Sequence, residues 1–135
     1  MKKQGIIIHP EELTEQMLEL LKNTNINVLG LHPAGGRNAA RNLENFLLLM
    51  ETEEFQNKLQ EVRKLGILIE YEMHVLSWLV PRELYADVPE WFRMNQEGKR
   101  VNDYHVCVSN PEVLEYISQR TEQLTKCLTF GTTTL

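Results

Sequence analysis

Hydrophobic and polar positions change period several times along this chain, and the changes mark out its elements. Gly5 to His9 is a short, mostly isoleucine run of the kind that forms a buried strand. His9-Pro10-Glu11-Glu12 opens a predicted helix, with proline at the first helical position and acids in the first turn. Leu13, Met17, Leu20 and Leu21 give it an apolar stripe, and Asn23-Thr24-Asn25 stops it. A second strand runs from Ile26 to His32, followed by the loop Pro33-Ala34-Gly35-Gly36. The region from Ala39 to Leu65 is helical, with a break near Thr52. Leu43, Phe46, Leu47 and Met50 form one stripe before it, and Phe55, Leu59 and Val62 another after it. Gly66 supplies a C-terminal stop, and a third strand covers Ile67 to His74.

Strand, helix and strand joined by short links make a βαβ unit. Two such units in series predict a parallel sheet with helices packed on it. A long excursion follows, from Pro81 to Ser109, within which Glu90 to Val101 reads as a small hairpin turning near Glu97-Gly98. Asn110 as N-cap and Pro111 at the first position then start another helix, with Leu114, Ile117, Thr121, Leu124 and Leu128 on its inner face. The Thr-rich tail, residues 129 to 135, is open between a fourth strand and a frayed end.

Composition narrows the classes of function. The chain has 135 residues, enough for one domain, and 14 Lys+Arg against 19 Asp+Glu leave a formal net charge of −5. An acidic balance argues against a general nucleic-acid binder, which needs a basic stripe. No apolar run reaches the roughly 20 residues of a membrane-spanning helix. Met1-Lys2-Lys3 precedes only Ile6-Ile7-Ile8, too short for a secretory signal core, so the chain as given reads as cytoplasmic or cut from a longer product. Cys107 and Cys127 form no CxxC pair and read as inert thiols rather than a disulfide or zinc framework.

In parallel α/β folds chemistry gathers at the carboxyl ends of the strands, and His9, His32 and His74 all fall there. Alternation puts Leu68, Glu70, Glu72 and His74 on one face of the third strand. Buried parallel strands are normally apolar on both faces, so this face lines either a polar interior or solvent. Glu70 and Glu72 lie about 7 Å apart along the strand, within the range of a glycosidase carboxylate pair. Both project the same way from one strand, however, and cannot flank a scissile bond; they read as hydroxyl-binding or ion-pairing groups. Three strand-end histidines suggest a metal site only weakly, since the first strand has no His-x-His pair. Gly35-Gly36-Arg37-Asn38 offers backbone N–H groups and a guanidinium to an anion, although no phosphate-binding glycine motif is present. Trp78 and Trp91 offer flat faces for sugar stacking, with core packing as the plainer alternative.

The second half of the chain carries a resemblance. Ile69-Glu70-Tyr71-Glu72-Met73-His74 is followed in order by Pro81-Arg82-Glu83-Leu84, Pro89-Glu90-Trp91-Phe92-Arg93-Met94, Glu97-Gly98-Lys99-Arg100 and Cys107-Val108-Ser109-Asn110-Pro111-Glu112-Val113. This string resembles a largely uncharacterised bacterial family whose TIM-barrel domain is grouped with glycoside hydrolases of the hexosaminidase and α-glucuronidase types. Gly30-Leu31-His32-Pro33 is consistent with the start of such a barrel, and the resemblance extends over the chain except its tail. It implies an α/β domain over residues 1–135 that is a partial (β/α) TIM barrel: three to four parallel strands, flanking helices and the 81–109 hairpin excursion. A complete barrel takes about 250 residues, with a floor near 200. The catalytic carboxylates of related sugar hydrolases lie on later strands, so the resemblance implies no catalysis by this chain alone.

What it carries over is a substrate-facing rim of His32, Glu70, Glu72 and His74, with Arg100 and Asn110. The expected partner is carbohydrate, with neither a cofactor nor a resident metal. A half-barrel exposes sheet edges and an inner face, so a homodimer or larger oligomer is expected. Two alternatives stand beside this: a metal-dependent hydrolase or isomerase using the strand-end histidines, and a non-enzymatic oligomerising fragment without ligand.

Overall fold

The computed structural model of the chain describes residues 2–128 and, for the backbone, 131–134. Its elements are β1 (Gly5–Ile8), α1 (Glu15–Lys22), β2 (Val28–Leu31), α2 (Ala39–Met50), α3 (Glu53–Lys64), β3 (Leu68–Glu72), the one-turn α4 (Val75–Trp78), α5 (Pro111–Cys127) and β4 (Gly131–Thr134). The four strands form one sheet whose spatial order is the chain order, and every pairing is parallel. The tail, left open by the sequence, contributes β4 beside β3; residues 129, 130 and 135 lie outside the described residues.

Strand order equal to chain order has a consequence. Right-handed crossovers that always step the same way put their helices on one face of the sheet. Side chains on that face, Ile6, Ile8, Leu29, Leu31, Ile69 and Tyr71, pack with Leu18, Leu43, Phe46, Leu59 and Val62 of the helices. The opposite face has no such cover: Ile7 and Leu68 are each 59% exposed.

Local chemistry sets the element ends. Glu12 carboxylate accepts from the His9 N–H at 2.7 Å, but Pro10–Glu12 forms only a 3-10 turn. Thr14 then caps α1, its hydroxyl accepting from Met17 N–H. The helix therefore begins later than Pro10, and its phase shifts: Leu18 and Leu21 are buried while Leu20 is 47% exposed, a correction to the expected stripe. α5 starts at Pro111 as expected, but it packs through Val113, Ile117 and Leu124 and leaves Leu114 turned outward, a correction to its expected inner face. The hairpin over 90–101 shrinks to single antiparallel bridges, Met94 to Arg100 and Phe92 to Val106, around a turn where Gly98 holds φ +75°. Asn95 fixes that turn, its side-chain oxygen accepting from the Glu97 and Lys99 N–H groups. Near it, burial works against the Asp103 carboxylate, yet the His105 N–H and the Arg93 guanidinium outweigh this and hold its pKa below the ordinary range.

The break near Thr52 falls as expected. The Thr52 hydroxyl donates to Leu49 O at 2.7 Å, at the end of α2, and accepts from Phe55 N–H at 3.3 Å, at the start of α3. One side chain serves both helix termini, so Thr52→Ala is expected to cost about 1–2 kcal/mol, the upper half of the usual range for an N-cap. Urea denaturation checks this; a loss confined to a few tenths would show that the corner is held by packing alone.

Candidate functional site

The uncovered sheet face is built in rows. Parallel register sets Gly5, Val28 and Leu68 side by side, then Ile7, Gly30 and Glu70. Continued by one step, beyond Ile8, Leu31 and Tyr71, the same register aligns His9, His32 and Glu72 at the carboxyl ends. The His32 N–H donates to Ile8 O at 3.0 Å, which carries the β1–β2 pairing to that point. The face thus grades from apolar at the amino ends of the strands to wholly polar at the carboxyl ends.

At those ends the histidines meet. His9 Nδ1–H donates to the His32 carbonyl oxygen at 2.7 Å; a carbonyl only accepts, so Nδ1 carries a proton. The ring centroids of His9 and His32 are 6.4 Å apart, and those of His32 and His74 are 5.7 Å apart. His74 is not on the strand but at the N-cap of α4, where buried Met73 has already ended β3. Its carbonyl accepts from the Ser77 and Trp78 N–H groups, folding α4 back beneath the cluster. The Trp78 ring meets His32 at 5.0 Å and His74 at 5.2 Å, nearly perpendicular to each.

Trp78 is only 5% exposed, and Gly35 lies against its indole. It is the floor under two histidines, a correction to its reading as a stacking platform. Trp91 lies elsewhere: it packs on Tyr116 of α5 at 5.1 Å, and its Nε1–H donates to Glu112.

The expected rim residues divide into groups. His32 and His74 meet at the mouth, with Glu72 in the row of His9 and His32. Glu70 sits one row deeper and pairs with Lys3 at 3.0 Å, beside a hollow lined by Ile7, Val28, Gly30 and Glu72. A methyl group on Gly30 would come 2.9 Å from Ile7 Cγ1, too close for a real contact, so the missing side chain is what makes room for Ile7 in this row, with Glu72 Oε1 at van der Waals distance.

Arg100 and Asn110 belong to a different concavity, shared with Glu90, Cys107 and Ser109. There Arg100 donates to Phe92 O at 2.7 Å, and Asn110 caps α5 through Glu112 N–H and donates to Glu90 O at 3.3 Å. Their bonds serve the excursion and the start of α5. The Arg100 side chain, helped by the Ser109 N–H, also holds the Cys107 thiol below its ordinary pKa, so Cys107 is more readily ionised than an inert thiol.

Among the described residues no three His, Cys, Asp or Glu side chains are placed to hold a metal ion. Among the described residues no helix is long and apolar enough to cross a membrane.

Sequence reasoning missed a second concentration of charge. Arg37, Arg41, Arg82 and Arg120, from three separate stretches of chain, line one cleft together with Trp78. Only Gly35-Gly36-Arg37-Asn38 had hinted at it. No protein-family model matches the chain, and no curated protein matches it either.

Proposed function

We propose that the chain is the first part of a glycoside-hydrolase-like β/α barrel, which recognises carbohydrate at the carboxyl-end mouth of its sheet and does not hydrolyse it unaided. The reading rests on one observation: the last row of the uncovered face, His9, His32 and Glu72, is entirely polar, and His74 joins it over a tryptophan floor. Sugar hydroxyls need donors and acceptors set close together above an apolar surface, and imidazole and carboxylate supply both roles. A single-wound parallel sheet with helices on one face only is also how a barrel begins. The carboxylates do not form a catalytic couple: Glu70 is engaged by Lys3, and it projects from the same strand and to the same side as Glu72.

The same geometry supports self-association. Ile7 and Leu68 stand exposed on the face that a closed barrel would bury, and a second copy placed face to face covers them. Titration with a broad oligosaccharide panel, followed by tryptophan fluorescence, is expected to give a saturable change that His32→Ala and His74→Ala abolish; silence across the panel would sink the sugar reading. Light scattering on the eluting protein at micromolar concentration is expected to give at least twice the chain mass, reduced to the chain mass by Leu68→Glu. A monomer in the unsubstituted protein would remove the self-association.

A further inference from the structure

We infer that the cleft between the start of α2 and the segment after α4 is a binding site for a phosphate group. It has a volume of about 360 Å³ and carries Arg37, Arg41, Arg82 and Arg120 against only Glu44 and Glu83. Four of the seven arginines of an acidic chain therefore share one concavity. Like charges crowd together at a cost unless an anion offsets them, and planar guanidiniums match the oxygens of phosphate in pairs.

Each wall adds to the case. Among the described residues, neither Arg37 nor Arg41 has an ion-pair partner, so both guanidiniums are free to take a ligand. Arg82 is held in place by the ring of Tyr104, 3.7 Å below its guanidinium carbon. Arg120, reaching across from α5, gives one nitrogen to Glu44, while its buried Nε has no acceptor. The first turn of the twelve-residue α2 opens into the same cleft, with no side-chain cap and no acid in it. Ala39 N–H is taken by Gly36 O, but the next N–H groups of the turn and the positive end of its dipole reinforce the arginines, and Arg41 in that turn is tolerated best when an anion lies between them. Two positive charges in excess suit a phosphate dianion better than a single carboxylate.

Trp78 forms part of this cleft and is also the floor of the histidine mouth, so a phosphate bound here lies next to that mouth. Phosphate binding stands whether or not the mouth takes a sugar. The group belongs either to free phosphate or to a phosphorylated small molecule such as a sugar phosphate, and the two sources separate by experiment.

Calorimetric titration of the unsubstituted chain at fixed ionic strength, with inorganic phosphate, glucose 6-phosphate and glucose in separate runs, provides the test. Fluorescence of Trp91→Phe, which leaves Trp78 as sole tryptophan, gives a second readout. Saturable binding of at least one phosphate is expected, with a dissociation constant of about 1 mM or tighter. Arg37→Ala/Arg41→Ala, at two exposed positions, is expected to weaken it by at least about tenfold while leaving the circular dichroism spectrum unchanged. Tighter binding of glucose 6-phosphate assigns the group to a phosphorylated sugar, and equal binding assigns it to free phosphate. No saturation by either phosphate up to about 10 mM overturns the site, as does an unaltered affinity in the double variant, or a response to glucose equal to that of its phosphate.

Discussion

Phe92→Ala is expected to lower the unfolding free energy by about 3–5 kcal/mol, the range for deleting a fully buried phenylalanine. Phe92 is 1% exposed and belongs to the main core, although it sits in the long excursion between α4 and α5. Its ring meets Tyr85 edge-on at 5.3 Å. The Tyr85 hydroxyl donates to Arg100 O, and Arg100 in turn donates to Phe92 O, both at 2.7 Å. The side chain therefore anchors a closed circuit of ring, hydroxyl and guanidinium, which supplies what strand ladders supply elsewhere. Removing the ring leaves a cavity and loosens two partly buried polar contacts together. Urea unfolding monitored in parallel by far-UV circular dichroism and tryptophan fluorescence should show one transition, shifted equally in both signals. Two separated transitions, or a loss under about 1 kcal/mol, would make the excursion an appendage that unfolds on its own.

How much of this was legible in the chain depends on how local the cause is. The helix break at Thr52 was readable because a hydroxyl acting on residues three positions to either side is a sequence-local event. The two polar residues of β3 were readable for a similar reason: period-2 alternation fixes which face Glu70 and Glu72 occupy whatever the sheet does around them. Register is not local: the sequence places His9 and His32 at strand ends, and the pairing of β1 with β2 is what sets them side by side.

The expected stripe of α1 counted Leu13 as part of the helix, whereas the helix starts only after Thr14 and Leu20 turns outward. The cap that sets the start, Thr14, outcompeted Pro10. α5 starts where expected, and Leu114 faces outward because that helix packs through Val113, Ile117 and Leu124. The arginine cleft was invisible for a different reason. Arg37 and Arg41 are near neighbours, but Arg82 follows α4 and Arg120 comes from α5, which the β3–β4 crossover lays against α2. No period or spacing joins four positions that only tertiary packing assembles. Trp78 was likewise read by residue type, whereas its surroundings fix its use: a one-turn helix too short to show a period delivers it beneath the histidines.

Trp78→Ala is therefore expected to act on stability and on both sites at once. Deleting a buried indole costs about 3–5 kcal/mol by lost contacts and cavity formation. Here the indole also fixes the approach of His32 and His74 and closes one side of the arginine cleft. Trp78→Phe keeps an aromatic floor and gives up part of the volume, and its loss of stability is expected to be less than half as large. Chemical denaturation of the two variants, set beside phosphate titration of each at a temperature where both stay folded, separates support from recognition. Arg37→Ala/Arg41→Ala should lose phosphate affinity and keep its denaturation midpoint, whereas Trp78→Ala should lose both. A Trp78→Ala protein that unfolds at the unsubstituted midpoint would show that the indole carries no load beneath the mouth, and with it would go the shared wall that joins the histidine cluster to the arginine cleft.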